Sequence, residues 1–242
     1  MSFEQKKRAL ITGASSGIGK ATALAFAASG IDVALVSRKA DKLADVAATA
    51  IKAGVEVKTY AVDLSHVSEV ESKIRGIISD FGDIDILVNN AGIGYTAPLS
   101  ETSLPDWQQV IDLNVTSLFQ CIIGALPTMR ARSSTSTIIN IASIAGKQGF
   151  ANWGAYCVSK AGVIALSQAL AQEERTNGIK VTVICPGAVN TGIWDTKTVN
   201  ADFDRSKMLT PEDVAQSILH AALQEGQAVI DELVLMPNAG VL

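Results

Sequence analysis

The stretch TGASSGIG, residues 12–19, follows a short apolar run and opens a segment with helical periodicity. Glycines in such a turn let the backbone bend tightly and let a pyrophosphate approach where a Cβ would obstruct it. The helix that follows would present free N–H groups and partial positive charge to an anion. The stretch therefore predicts a dinucleotide-binding turn between a first strand and a first helix. A glycine-rich turn without a ligand is the alternative.

Apolar runs alternate with helical patterns along the rest of the chain. The runs are rich in Val and Ile and lack polar alternation, which is typical of a parallel sheet covered on both faces. The predicted strands are Ala9–Ile11, Val33–Val36, Val57–Val62, Ile84–Val88, Thr137–Ile141, Val181–Cys185 and Glu232–Leu235. Helical periodicity occupies segments such as Gly17–Ser29, Asp41–Ala53, Val67–Phe81 and Gly154–Thr176. This order predicts an α/β fold of the Rossmann type, a doubly wound parallel sheet of about seven strands in one domain spanning residues 1–242.

Composition limits the function classes. The chain has 242 residues and a formal net charge of −4, and its basic residues are scattered, which argues against nucleic-acid binding. No apolar run approaches the roughly 18 residues of a membrane span, and no signal peptide is evident. His66 and His220 are isolated, so no metal site is expected. The three cysteines are dispersed without a CxxC pattern, which favours a reducing, cytoplasmic location.

The end of the second predicted strand bears on the choice of cofactor. NAD-binding chains place an acidic residue about 20 residues beyond the glycine turn to hold the ribose 2′-hydroxyl. Ser37 and Arg38 occupy that neighbourhood here. A guanidinium can bind a 2′-phosphate through charge-assisted hydrogen bonds, so NADP(H) is favoured over NAD. The alternative is that Arg38 is only an exposed residue at a helix entry.

Ser143, Tyr156 and Lys160 form a Ser-x12-Tyr-x3-Lys pattern. Tyr156 and Lys160 are four residues apart on a predicted helix and therefore share a face. An ammonium group about 5 Å from a phenolate would stabilise it by roughly 3 kcal/mol at an effective dielectric of about 20. We therefore expect Lys160 to lower the pKa of Tyr156 by about two pH units, toward a usable acid/base range. A Tyr-x3-Lys pair alone is weak evidence, since it often arises by coincidence on a helix surface.

With these motifs in place, the sequence closely resembles the short-chain dehydrogenase/reductase family along its whole length. Single-domain, NADP(H)-dependent carbonyl reductases such as the 3-oxoacyl-carrier-protein reductases and related ketoreductases are the members it is similar to. The resemblance is carried by Thr12-Gly13-x3-Gly17-Ile18-Gly19, Asp63-Leu64, Asn89-Asn90-Ala91-Gly92, Asn114, Ser143, Tyr156-x3-Lys160 and Pro186-Gly187. Each motif is modest alone, and their joint order and spacing make the resemblance specific.

The resemblance implies a catalytic set of four residues. Tyr156 would donate a proton to the carbonyl oxygen during reduction, and Lys160 would lower its pKa and bind the nicotinamide ribose. Ser143 would orient the substrate oxygen. Asn114 would hold a water that links Lys160 to solvent. Read from the residues alone, Asn114 can also cap or kink a helix, and Ser143 can be a plain helix-entry serine.

The resemblance also implies a set of cofactor contacts. Asp63 and Leu64 would flank the adenine, and the stretch after the sixth strand would contact the nicotinamide. Taken alone, the Asn-Asn-Ala-Gly stretch can be a simple strand-ending turn. The full set is Gly13, Ser15, Ser16, Gly17, Ile18, Gly19, Ser37, Arg38, Asp63, Leu64, Asn90, Ala91, Gly92, Tyr156, Lys160, Pro186, Gly187, Val189 and Thr191.

Two irregular stretches, Gly92–Leu104 and Pro186–Pro211, follow predicted strands and are candidates for substrate contact. We expect a substrate lid near residues 187–209. The family's layout places a largely apolar set around the substrate, which favours a hydrophobic ketone or aldehyde. That set is Ile93, Tyr95, Ile144, Phe150, Trp153, Ile193 and Trp194.

Several questions stay open at the level of sequence. The ending Ile230–Pro237 differs from that of many β-ketoacyl-carrier-protein reductases, so a 3-oxoacyl substrate is one option among hydrophobic carbonyls. The family implies a homotetramer, or a dimer.

A redox sensor that holds NADP(H) without turnover is the main rival to an enzyme, although such proteins usually lose the tyrosine or the lysine. Epimerisation or dehydration would normally need a longer substrate domain.

Overall fold

The computed structural model describes residues 6–201 and 203–240, and its centre is a sheet of seven parallel strands. The strands are β1 Arg8–Thr12, β2 Asp32–Ser37, β3 Val57–Ala61, β4 Ile86–Asn89, β5 Ser136–Ile141, β6 Ile179–Pro186 and β7 Glu232–Leu235. Their order across the sheet is β3-β2-β1-β4-β5-β6-β7. The predicted doubly wound fold is therefore confirmed.

Burial along the strands follows their place in the sheet. The inner strands β1, β2, β4, β5 and β6 are buried at nearly every position, as the unbroken Val and Ile runs predict. The edge strands β3 and β7 are only partly buried. The prediction of strands covered on both faces therefore holds for the interior of the sheet and is wrong for its two edges, where one side has no neighbouring strand.

Seven helices cover the two faces of the sheet in the described residues. They are α1 Gly17–Ala28, α2 Ala40–Ala50, α3 Val67–Phe81, α4 Leu104–Ile111, α5 Ser117–Arg130, α6 Gly154–Glu174 and α7 Pro211–Ala222. One core contains side chains of α1, α2 and α7, and the other contains side chains of α3, α5 and α6. The helical segment predicted over Val67–Phe81 matches α3 at both ends.

The two helices α4 and α5 run into each other through a π-helical turn, Asp112–Thr116. Together they form a helix, Leu104–Arg130, long enough to cross a membrane and with a mean hydropathy of 1.5 in its most apolar window. More than half of that window, 56%, is buried within the protein, and α5 packs against α3. The apolar composition is that of a core helix.

The carboxyl ends of four strands meet at one edge of the sheet. β1 continues into the glycine turn, β4 into Asn90, β5 into Ser143 and β6 into the long segment that starts at Gly187. The chain leaves the adjacent strands β1 and β4 toward opposite faces, and such a switch point opens a crevice between the two connections. The topology therefore brings the motifs found in the sequence to one place.

Candidate active site

A cleft of about 490 Å³ lies along this edge of the sheet. The predicted cofactor and catalytic residues that line it are Gly13, Ser15, Ser16, Gly17, Ile18, Ser37, Arg38, Leu64, Asn90, Ala91, Gly92, Ser143, Tyr156, Lys160, Pro186, Gly187, Val189 and Thr191. Gly19, Asp63 and Asn114 do not line the cleft. One end of the cleft lies at the glycine turn, and the other lies among aromatic side chains.

The glycine turn is fixed by the neighbouring strand. The Asn90 side chain donates a hydrogen bond to the Thr12 carbonyl at 3.0 Å, and the Asn90 backbone N–H donates to the Thr12 hydroxyl at 3.0 Å. Gly13 has a φ of +66°, and a Cβ there would lie 2.7 Å from the Asn90 amide nitrogen. The side chain of Ser16, which precedes α1, makes no capping hydrogen bond. The first N–H groups of α1 thus lie at a tight turn and have no capping side chain from Ser16, which fits a pyrophosphate.

The cleft has a basic rim near the end of β2. Ser37, Arg38, Lys39 and Lys42 line it, and the Ser15 and Ser37 hydroxyls lie 2.7 Å apart. The predictions included Ser37 and Arg38 but missed the two lysines. The sequence could have indicated both lysines, because Lys39 adjoins Arg38 and Lys42 lies one helical turn further on. Three cationic side chains at this rim fit a ribose 2′-phosphate.

Asp63 lies beside this rim and outside the cleft lining. Its carboxylate accepts hydrogen bonds from the Ser65 N–H at 2.9 Å and the Ser65 hydroxyl at 2.8 Å. A carboxylate oxygen also lies 4.0 Å from the Arg38 guanidinium. Both side chains are exposed, so the pair contributes little to stability. Asp63 therefore lies next to Arg38 without lining the cleft, and its contact with adenine stays a prediction.

Ser143 and Tyr156 lie at the middle of the cleft. The Ser143 hydroxyl accepts the Ala145 N–H at 3.1 Å and lies 3.5 Å from the Pro186 carbonyl. Burial raises the pKa of Tyr156 to about 12, although a hydrogen bond with Ser143 opposes the rise. A phenol with this pKa keeps its proton at neutral pH and is a hydrogen-bond donor.

Lys160 is buried one helical turn beyond Tyr156. Its ammonium donates a hydrogen bond to the Ile141 carbonyl at 2.8 Å and lies 5.7 Å from the centre of the Tyr156 ring. Burial lowers the pKa of Lys160 to about 8. The expected lowering of the Tyr156 pKa by about two pH units is therefore wrong for this structure. Burial of the phenol is the largest influence on that pKa and raises it.

Asn114 is buried in the π-helical turn between α4 and α5. Its side chain accepts the Ile93 N–H at 2.8 Å and donates to the Ile93 carbonyl at 2.9 Å and to the Ser159 hydroxyl at 3.0 Å. Ser159 in turn donates to the Tyr156 carbonyl at 2.7 Å. The side chain thus ties the loop after β4 to α6. Sequence reasoning missed Ser159, although it directly precedes Lys160.

Aromatic side chains form the far end of the cleft. The rings of Trp153 and Trp194 lie 5.8 Å apart, those of Trp194 and Phe203 lie 5.4 Å apart, and Trp153 also lies 5.4 Å from Tyr156. All three contacts are edge-to-face, a favourable arrangement for aromatic pairs. Ile93, Ile144, Phe150, Ile193 and Met236 also line the cleft.

The substrate prediction was wrong at one residue and incomplete at two. Tyr95 does not line the cleft, and its hydroxyl lies 3.4 Å from the Asp106 carboxylate. Phe203 and Met236, which do line it, were missed. Both lie in irregular segments after strands, where sequence periodicity does not indicate which way a side chain points.

The segment after β6 crosses the aromatic end and meets the loop after β4. The Thr96 N–H donates to the Thr198 carbonyl at 2.8 Å, and the Thr198 hydroxyl donates to the Gly94 carbonyl at 2.7 Å. The Trp194 indole N–H donates to the Val189 carbonyl at 2.7 Å. These bonds hold the segment beside the aromatic end of the cleft.

Side chains that could support other chemistry are a metal-binding cluster and the cysteines. No group of three or more His, Cys, Asp or Glu side chains lies close enough together to hold a metal ion in residues 6–201 and 203–240. Cys121, Cys157 and Cys185 are all free thiols. The hydroxyls of Ser143 and Tyr156 and the ammonium of Lys160 are the hydrogen-bonding groups of the predicted catalytic set that line the cleft.

Comparison with known proteins agrees with this geometry. A family model described as short chain dehydrogenase matches residues 7–202. The chain belongs to the short-chain dehydrogenase/reductase family. The resemblance inferred from the sequence motifs is thereby confirmed.

Individual relatives cover nearly the whole chain. A 3-oxoacyl-[acyl-carrier-protein] reductase of Synechocystis sp. is 37% identical over 92% of this chain and 91% of its own length. An uncharacterized oxidoreductase of Staphylococcus saprophyticus is 36% identical over 96% of this chain and 98% of its own. The solved structure of an alcohol dehydrogenase from Thermococcus sibiricus, complexed with 5-hydroxy-NADP, matches with a TM-score of 0.88 at 27% identity, covering 97% of each chain. The chain is thus an oxidoreductase of this family.

Proposed function

We propose that this protein transfers a hydride between NADPH and a ketone or aldehyde, or runs the reverse oxidation, with Tyr156 as the general acid and base. The observation that carries the proposal is the position of Tyr156. It lies beside Ser143 and Lys160, where a cleft suited to a dinucleotide joins an aromatic pocket. A carbonyl carbon in that pocket would lie between the proton donor and the cofactor.

The proposed chemistry assigns one task to each side chain. Tyr156 donates its proton to the carbonyl oxygen, and the Ser143 hydroxyl donates a hydrogen bond to the same oxygen. Lys160 supplies positive charge that steadies the tyrosinate as it forms. Asn114 holds the loop and helix around them. The bound nicotinamide supplies the hydride.

The cofactor preference is proposed to be NADP(H) over NAD. Support comes from the basic rim formed by Arg38, Lys39 and Lys42 and from the NADP derivative bound to the Thermococcus protein. We expect Arg38→Ala to raise the KM for NADPH about tenfold and leave the KM for NADH within about twofold, because only NADPH carries the 2′-phosphate. Steady-state kinetics with both cofactors measures this. Arg75→Ala, an exposed charge on α3, is the control. Equal changes with both cofactors would contradict the assignment.

The substrate class is proposed to be hydrophobic carbonyls, with 3-oxoacyl compounds among them. The apolar lining at Trp153, Trp194 and Phe203 supports this choice over polyols. The test is oxidation of NADPH by purified protein against ketones, β-keto esters and aldehydes, with sugar alcohols tested in the oxidising direction. Turnover confined to polyols would overturn the substrate class. Tight NADPH binding with no turnover on the whole panel would instead support a non-catalytic sensor.

We further propose that the protein is a cytoplasmic homotetramer, or a dimer. Its three free thiols fit a reducing compartment. Leu104 is 75% exposed, and Phe119 and Val158 also present apolar surface on α4, α5 and α6. We expect light scattering to give a native mass of two or four times the 25.3 kDa of one chain. A native mass of one chain at micromolar concentration would contradict the assembly.

A further inference from the structure

The segment after β6 comes back beside its own start at one point, which we call the neck, formed by Ala188–Asn190 and Leu209. The Leu209 N–H donates to the Ala188 carbonyl at 3.0 Å, and the Asn190 N–H donates to the Leu209 carbonyl at 2.8 Å. Trp194 and Phe203, two of the aromatic side chains that line the cleft, belong to the loop that runs between the two sides of the neck. A group that holds the neck together therefore restricts the conformations of the loop that carries this aromatic wall.

Arg205 ties the returning side of the segment to its outgoing side. Its guanidinium donates to the Asn190 side-chain oxygen at 2.9 Å and to the Thr191 carbonyl at 2.6 Å. It also donates to the Asp195 carboxylate at 2.7 Å. A planar guanidinium can serve three acceptors in fixed directions, which a lysine ammonium cannot reproduce. Lys207, in the same 3-10 turn, pairs with Asp204 at 3.3 Å instead.

Thr191 connects the hydrogen bonds of Arg205 to both ends of the cleft. On one side, a Cβ at Gly17 would lie 3.1 Å from the Thr191 methyl group, so Thr191 packs against the glycine turn. On the other side, the Thr191 hydroxyl accepts the Ile193 N–H at 3.4 Å and begins the short turn that carries Trp194. Arg205 holds the carbonyl of this same residue. Through Thr191 the arginine is thereby connected to the phosphate turn and to the aromatic wall.

We propose that Arg205 is a positioning residue that clamps the segment after β6, and so sets the affinity for cofactor and carbonyl substrate without taking part in the proton transfer. The inference rests on the proposed function for the meaning of those affinities. The ion pair with Asp195 is exposed and contributes little by itself. The bonds to Asn190 and Thr191 carry the effect, because they join residues that are 14 and 15 positions away in the chain.

The test compares Arg205→Ala and Arg205→Lys with Lys207→Ala. The last variant removes the same charge from the same turn but leaves the clamp intact. Hydrogen exchange of peptides over residues 188–201 and 203–209, measured without any ligand, is expected to accelerate about tenfold in Arg205→Ala. In that variant the Kd for NADPH, read from tryptophan fluorescence, and the KM for a carbonyl substrate are each expected to rise about tenfold, while kcat stays within about twofold. Arg205→Lys is expected to fall between the wild type and Arg205→Ala.

The outcomes separate the clamp from its alternatives. Lys207→Ala with wild-type exchange and kinetics supports the proposal, as does unchanged exchange in peptides of α3 from every variant. Equal effects of Lys207→Ala and Arg205→Ala would overturn it, since charge rather than the clamp would then be responsible. Unchanged exchange in Arg205→Ala would also overturn it. Because the exchange measurement needs neither cofactor nor turnover, it tests the clamp even if no substrate of the panel reacts.

Discussion

Replacing Tyr156 with phenylalanine is expected to lower kcat for carbonyl reduction about a thousandfold and to leave NADPH affinity within about twofold. The variant keeps the ring that packs against Trp153 and loses only the proton donor. A positioned general acid contributes roughly 10² to 10⁴ in rate, and the variant takes that proton donor away from the carbonyl oxygen. The Ser143 hydroxyl beside Tyr156 would remain as a hydrogen-bond donor. Single-turnover oxidation of NADPH measures the chemical step directly.

Tyr95→Phe is the matched control for this variant. It removes the same hydroxyl from a tyrosine that faces Asp106 instead of the cleft. We expect its kcat to stay within about twofold of the wild type. A Tyr156→Phe enzyme that retains more than a tenth of the wild-type rate would exclude Tyr156 as the proton donor.

The pH dependence of the wild-type enzyme follows from the same two groups. Burial raises the pKa of Tyr156 to about 12 and lowers that of Lys160 to about 8. Because of that high pKa, the protonated phenol prevails at neutral pH, and this is the form that reduction uses. Above pH 8 the lysine loses its proton and with it the charge that steadies the tyrosinate, so the rate of reduction is expected to fall. Alcohol oxidation needs the phenolate and is expected to speed up as the pH rises.

The fold was predictable because the signals that determine it are local. Unbroken Val and Ile runs separated by helical periodicity indicate a covered parallel sheet, and five inner strands have that burial. The weaker burial of the two edge strands was not predicted, because the position of a strand in the sheet is decided by contacts between distant segments. The helix Leu104–Arg130 was not assigned for a related reason. The π-helical turn interrupts the 3.6-residue period, so the apolar pattern of α4 does not continue in phase into α5.

The catalytic set was predictable from spacing, and the environment of that set was not. The separation of Tyr156 and Lys160 by one turn predicts their proximity correctly. The sign of the tyrosine pKa shift depends on how much water both groups lose, which is a property of the packed structure. Arg205 and Phe203 escaped notice for a different reason. They lie in an irregular segment, where the partner of a side chain is set by the path of the loop.

Gly19→Ala is expected to weaken NADPH binding about 10- to 100-fold and to destabilise the protein by about 1–3 kcal/mol. Gly19 lies in the first turn of α1, directly under the phosphate turn. A Cβ there would overlap the Gly13 carbonyl and lie 2.5 Å from the Asn90 amide nitrogen. Both neighbours belong to the framework that shapes the turn, so neither can move without changing the cradle for the pyrophosphate. NADPH titration and thermal unfolding measure the two effects.

Gly76→Ala supplies the contrast, because Gly76 also lies within a helix, α3, but a Cβ there would meet nothing within 4 Å. Alanine restricts the unfolded chain and favours the helix, so we expect this variant to be more stable by about 0.4–1 kcal/mol with unchanged NADPH affinity. If both alanines stabilised the protein and left binding alone, close approach at Gly19 would have no part in cofactor recognition. If only Gly19→Ala lost affinity, the loss would trace to the geometry of the turn rather than to helix propensity.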